Sequence, residues 1–483
     1  MFRIVISFVI SLFVFAASFD YATAKEFLDR SILLDDLNSG RWDALEQKLG
    51  ALQKQYENGS TNDAYIEHAL DTFAHSSPQT LTGLNAWVEA HPDSAFAYAA
   101  RGVHYWRIYW HGALNNRLHW DGSDRVFHAP EGFIYQGDEL TKARVNFEKS
   151  ISLNSKLATS YAYIISLAMI EKDQVAKGIA YRNAMNNVPT SDGVRWRYFF
   201  SLVPQWGGKK TNVKLEVRLA NFFAPRKSHA RAPVNFVTYF EAKQKGLRGD
   251  HIAKLRLFEQ ALSEDTRWFI GWDYADALRR NKNFERSIEI AKAQLQRYPQ
   301  NPLIFDAIAR AYCRLGRYEE AFEYWEQSVE FDPHDPEMLD NKAWCRIEWG
   351  RKIEDGRITT NITTAQQQYE LALSDMQAAV LYAGNRRSIR YRRASILTYQ
   401  LKRYEEALLD TEYLIALRPK NTSYLNLHAQ VKFGLHDCKF KNFDIKLGNL
   451  CQKGSCNAFE RDSANWRLSV VARKGWCTGG KTF

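Results

Sequence analysis

Between residues 232 and 433 the apolar positions recur at helical spacing, in stretches that come two at a time. In the clearest pair, Phe305, Ala309 and Tyr312 are followed, past Gly316, by Ala321 and Trp325. Residues three and four apart share one helix face, so each stretch predicts an amphipathic helix with a single apolar stripe. Pro333 then ends the second helix, because proline has no N–H and its ring clashes with the preceding turn. The pattern repeats along the chain. Leu315-Gly-Arg-Tyr-Glu-Glu-Ala321 returns as Leu401-Lys-Arg-Tyr-Glu-Glu-Ala407, 86 residues on, and Pro419 follows Pro333 at the same offset. Pro299 precedes Pro333 by 34 residues. The offset is two 34-residue periods plus 18, and the polar stretch 351–366 is where the excess fits, as a lengthened turn. Two crossing helices need small residues at the contact, here Ala275, Ala309 and Ala321. They need large ones to fill the seam, here Phe305, Tyr312 and Trp325. A period of this length means stacked helix pairs, so the fold class is an all-α solenoid. No alternating apolar and polar run with hairpin turn residues competes with it.

These strings resemble the tetratricopeptide repeat over about 232–433. With repeats starting at Trp268, Pro302, Pro336, Ser388 and Thr422, the resemblance implies which first-helix positions line a concave groove. They are Trp272, Asp276, Arg279 and Arg280; Asp306, Arg310 and Arg314; Asp340, Trp344 and Glu348; Arg392 and Tyr399; and Asn426 and Gln430. A protein or peptide partner is what such a groove implies. The Lys/Asn pattern of carboxylate-clamp repeats is not reproduced, so no C-terminal peptide ligand is expected. Changing Arg310 and Arg314 together to Glu is expected to weaken partner capture while leaving the fold intact, both side chains being read as exposed.

Fainter repeats extend upstream. Ala253-Lys-Leu-Arg-Leu257 sits one period before 287–291, and Ala143-Arg-Val-Asn-Phe147 opens another second helix. The strings Leu84-Asn-Ala-Trp87-Val-Glu-Ala-His-Pro92 and Tyr198-Phe-Phe-Ser-Leu-Val-Pro-Gln-Trp206-Gly-Gly208 are similar to the bacterial domain of unknown function 4034, over about 33–225. Gln205 stands where that family carries Arg. The resemblance implies a helical module of the cell envelope and no chemistry.

Residues 1–24 read as an export signal. Arg3 precedes an apolar run over 4–15, and Ala22-Thr23-Ala24 offers small residues at the cleavage site. That run is too short for a membrane span, which takes about 20 residues. Four of the six cysteines, Cys438, Cys451, Cys456 and Cys477, crowd into the last 46 residues at a spacing no zinc motif uses. In an oxidising compartment they read as two disulfides that staple a small cap. Cys313 and Cys345 fit either two buried thiols or a bridge between neighbouring helices. The organisation is therefore a signal (1–24), an N-terminal helical domain (25–230), the repeat array (231–433) and a basic, Cys-rich cap (434–483).

Composition adds little chemistry. Apolar residues are 45% and charged residues 25%, ordinary for a globular chain. No glycine-rich phosphate loop, HExxH or paired CxxC is present, so no cofactor or metal is expected. The net charge is +10, and the last 50 residues supply nine Lys/Arg against four Asp/Glu. Such a patch suits an anionic envelope polymer, the alternative partner; nucleic acid does not suit an exported chain. Arg386, Arg387, Arg390, Arg392 and Arg393 form a second anion candidate, set against a solvated helix face. An enzyme would have to use His104, Trp106, Trp110, His111, His119, Trp120 and His128, with Asp121 and Asp124 nearby. No nucleophile is paired there with a base, and aromatics at helical spacing usually pack, so the chain reads as non-enzymatic.

Overall fold

The computed structural model describes residues 28–110, 138–203, 232–247, 249–264, 267–383, 386–452 and 456–474. Among them the regular structure is helical, with no strand. The N-terminal part comprises α1 (Arg30–Asn38), α2 (Trp42–Glu57), α3 (Ala64–Asp71), α4 (Pro78–Ala90), α5 (Ala95–Tyr109), α6 (Glu139–Leu153), α7 (Ala158–Ile170), α8 (Gln174–Asn187) and α9 (Asp192–Ser201). Helix pairs follow: α10 (Ala232–Leu247) with α11 (His251–Glu264), α12 (Trp268–Arg280) with α13 (Phe284–Arg297), and α14 (Pro302–Leu315) with α15 (Tyr318–Phe331). Next come α16 (Pro336–Glu354) with α17 (Ala365–Ala383), α18 (Arg387–Ser395) with α19 (Tyr404–Leu417), and α20 (Thr422–Gly434) with α21 (Phe440–Gln452). Helix α22 (Ala458–Lys474) closes the array.

Local chemistry sets these boundaries. The Asn301 side chain caps α14 by accepting from the Leu303 and Ile304 N–H groups, and Pro302 takes the first helical position, where a missing N–H costs nothing. Asp335 and Pro336 do the same for α16. Gly316 ends α14 at φ 79°, a left-handed conformation that side chains resist. The expected insertion does not simply lengthen a turn: α16 runs on to Glu354, and α17 starts at Ala365, so part of the extra sequence is helix. Gly350 lets this longer pair close, since a Cβ there would meet the Tyr369 ring at 2.5 Å.

The crossing residues Ala275, Ala309 and Ala321 have no exposed surface, and neither does Trp325 in the seam. Changing Ala321 to Leu should therefore cost about 1–3 kcal/mol by overpacking. Arg317 is exposed and paired with Glu320, so Arg317→Ala should cost under about 1 kcal/mol. Equal melting temperatures for the two variants would contradict the register.

The N-terminal helices lie along the loops that lead into successive first helices. Arg267, just before α12, faces Asp63 at 3.7 Å. Gln300, just before α14, accepts from the Arg30 N–H at 2.6 Å. Asp332, just before α16, takes the Ser76 hydroxyl at 3.1 Å and Arg107 Nε at 3.0 Å. One apolar core runs from Tyr109 and Trp196 into the array as far as Val431. This junction holds half-buried acids. Glu67 is pushed up to about 7, first by burial and then by Asp71, against the pull of Arg197 and Arg267. Burial also raises Asp71, which accepts from the Tyr163 hydroxyl. A carboxyl with a raised folded pKa binds more protons when folded, so stability falls as pH rises from about 4.5 to about 7. The protein is expected to melt lower at pH 8 than at pH 5.5. Glu67→Gln should flatten that profile; a variant profile parallel to the parent's would refute the assignment.

Candidate binding groove

Helices α12, α14, α16, α18 and α20 are the first members of consecutive pairs and carry the groove positions. They start at Trp268, Pro302, Pro336, Arg387 and Thr422, within one residue of the register read from the sequence. Their polar side chains form ion pairs from helix to helix. Asp276 on α12 bonds Arg279 at 2.7 Å and Arg280 at 2.6 Å, and it receives Arg310 of α14 at 3.3 Å. Burial works to raise the Asp276 carboxyl, but Arg310, Arg279 and Arg280 outweigh it and hold it at about 2. Asp306 is buried, takes the Trp325 indole N–H at 2.9 Å, and lies 2.9 Å from Arg310 Nε. Burial raises its pKa against Arg310. Arg392 of α18 forks onto Asp340 of α16. Glu348 pairs with Arg351 of its own helix at 3.4 Å. Tyr399 sits in a short π-helical segment, Ile396–Gln400, and burial pushes its hydroxyl up to about 12.

Burial corrects one expectation about these positions. Arg314 is exposed, but only 13% of the Arg310 side chain is, because it bridges Asp276 and Asp306. Changing Arg310 to Glu would place a third carboxylate against those two, so the paired reversal would disturb the fold as well as the surface. Asp306 points into the pair contact and serves packing in the same way.

In the last repeat two of these positions are taken by the protein itself. Arg467 of α22 is fully buried, bonds Asp444 at 3.1 Å, and reaches Asn426 at 3.0 Å and Gln430 at 3.3 Å. Asn426 and Gln430 therefore hold the C-terminal helix. The sequence showed Arg467 only as one charge in a basic tail; its partners come from two other helices. Sequence reading also missed Asp375 of α17, which pairs with Arg346 at 2.9 Å and Lys342 at 3.6 Å behind the groove.

Cys313 of α14 and Cys345 of α16 are joined, which resolves the open alternative in favour of a bridge between neighbouring first helices. Cys451 and Cys456 form a second bridge, and Cys438 is also disulfide-bonded. Cys477 and Trp476 lie outside the described residues.

The other candidates take structural places. Arg390 and Arg393 both grip the fully buried Asp410, Arg386 faces Glu337 at 3.8 Å, and Arg392 is spent on Asp340. Of that run, Arg387 alone has no carboxylate partner among the described residues. In the aromatic region, Trp106 stacks on Trp110 and meets Tyr163 edge-on, and His104 Nδ1 lies 3.0 Å from the His75 carbonyl. His111, His119, Trp120, Asp121, Asp124 and His128 lie outside the described residues. Among those described, no three His, Cys, Asp or Glu side chains converge as a metal site requires, and no helix is long and apolar enough to cross a membrane.

Comparison with known proteins identifies one unit of the array. The tetratricopeptide repeat family model matches residues 302–335, the unit formed by α14 and α15. No curated protein matches the chain. Among solved structures it is similar to a tetratricopeptide repeat protein from Parabacteroides merdae, at 14% identity over 50% of this chain and 94% of that one, TM-score 0.33. It is similar to the APC/C hetero-tetramer Cut9-Hcn1 at 12% identity, over 90% of this chain and 82% of that one, TM-score 0.43. The TPR2AB-domain:pHSP90 complex of yeast Sti1 is matched at 13% identity, over 49% of this chain and 98% of that one, TM-score 0.24.

Proposed function

We propose that the chain is an exported, non-enzymatic scaffold that receives a protein or peptide partner along the inner positions of its tetratricopeptide array. One observation carries this reading: the Arg314 guanidinium carbon lies over the Trp344 ring, 3.9 Å from its centroid. The two residues come from consecutive first helices, and Arg314 has no carboxylate partner among the described residues. Arg and Trp dominate binding energy where surfaces meet, because they offer large, oriented contact area. Elsewhere along these helices many charges are paired internally, among them Arg310 with Asp276 and Asp306 and Arg392 with Asp340, which fixes the wall against which a partner would lie. Export is supported by the 1–24 pattern and by the bridges, which form and persist in oxidising compartments. The resemblance of the N-terminal region to domain of unknown function 4034 agrees with an envelope address. The basic tail is a weaker basis for a polymer-binding role, since Arg467 faces inward.

The test is capture of the partner by Arg314→Glu combined with Trp344→Ala. Capture should weaken at least about tenfold, roughly 1.4 kcal/mol, with the helical circular dichroism signal unchanged. Undiminished capture by this variant, with loss in Glu326→Lys on the second helix α15, would show the groove assignment to be wrong.

A further inference from the structure

Two consecutive repeats of the array, those opened by α12 and α14, carry more cation at the inner positions than they neutralise. On α12 and α14 the groove positions hold Arg279, Arg280, Arg310 and Arg314 against Asp276 and Asp306 alone. The crowding has a cost: burial, and next the neighbouring Arg310, lower the pKa of Arg279 despite its bond to Asp276. The hydrogen-bond balance is one-sided too. Trp272 Nε1, Arg279 Nε and Arg310 Nη2 are buried without an acceptor, and no buried side-chain acceptor on these two helices is left without a donor. Nearer the surface, Arg280 is 69% exposed and spends one N–H on Asp276, while Arg314 sits 3.9 Å over the Trp344 ring and has no carboxylate partner among the described residues. A guanidinium oriented by stacking presents a planar fork of donors that fits a carboxylate.

We infer that this corner of the groove binds the side-chain carboxylates of an acidic, extended segment of a protein partner. The inference rests on the groove reading above and names the chemistry of its occupant. Arg280 and Arg314 hold the same position in successive repeats. Neighbouring packed helices lie about 8–10 Å apart. An extended polyproline II segment returns to the same face every three residues, about 9.3 Å. A carboxylate at every third residue therefore matches the interaxial spacing of the packed helices that carry the two arginines, whereas a single chain terminus meets only one. The fork is also open to side chains along the segment, since neither arginine lies at a closed end of the array.

Two fluorescent peptides, one of Glu-Pro-Pro repeats and one of Gln-Pro-Pro repeats, provide the probe, with fluorescence anisotropy on the full chain as readout. The Glu peptide should bind at least about tenfold tighter than the Gln peptide at low ionic strength, and the difference should shrink as salt screens it. Arg280→Gln with Arg314→Gln should abolish the difference, while Arg317→Gln, on the exposed turn, should leave it intact. Equal binding of the two peptides that is still lost in Trp344→Ala would overturn the acidic chemistry and keep the groove. Loss of binding in Arg317→Gln, with the inner variants unaffected, would overturn the groove itself. Failure of both peptides to bind would overturn the inference for acidic segments of this spacing.

Discussion

Arg107→Ala is expected to destabilise the folded chain by about 3–5 kcal/mol, the loss typical of a buried ion pair stripped of one partner. Arg107 leaves α5 to meet Asp332 through Nε and Nη2, and Asp335 through Nη2 at 3.0 Å. The Asp332 side chain is 3% exposed and that of Arg107 11%, so neither charge has water to fall back on. Without the guanidinium, Asp332 loses the charge that faces it, although the Ser76 hydroxyl still donates to it. The contact joins the N-terminal helices to the loop before α16, so the variant should also expose that junction to protease before the rest unfolds. Arg107→Met with Asp332→Leu should recover most of the loss, because an apolar pair carries no desolvation penalty. Denaturant titration of the three proteins checks this. A cost under about 1 kcal/mol for Arg107→Ala would mean that the junction is held by its apolar core alone.

Replacing Cys313 and Cys345 with Ala should cost about 3–4 kcal/mol, from the entropy that a 32-residue closed loop removes from the unfolded chain. Both cysteines are buried between α14 and α16, and the bridge fixes the spacing of the first helices beneath Arg314 and Trp344. The parent treated with reductant under denaturing conditions should fall at least as far as the variant, and further by whatever the tail bridges contribute. A parent indifferent to reductant, with a variant equally stable, would show that the bridge does not form.

The architecture was legible because a repeat states its rule several times. Ala309, Ala321 and Trp325 are set by local helix periodicity and by the size of the crossing, both written in neighbouring residues. The starts of the first helices were legible for the same reason, since Asn301-Pro302 and Asp335-Pro336 are local capping chemistry. The interior of the groove was harder to read. The position pattern marks Arg310 and Arg314 as equivalent, yet one lies between two carboxylates and the other over an indole. That difference depends on Asp276 and Trp344, each one repeat away and on opposite sides. Arg467 was beyond reach for a similar reason: Asn426, Gln430 and Asp444 lie 23 to 41 residues from it in sequence. Periodicity locates a face; which of its charges are already spent is decided by partners on other helices.

The central claim, that the inner positions of the array receive the partner, is tested most directly by site-specific photo-crosslinking in cells that produce the protein. A photoreactive residue replaces Arg314 or Tyr399 on the inner positions, or Glu326 or Glu319 on the second helix α15. The account predicts one discrete adduct, of the same partner, from Arg314 and Tyr399 and none from Glu326 or Glu319. Adducts from the α15 positions with none from the inner ones would contradict it.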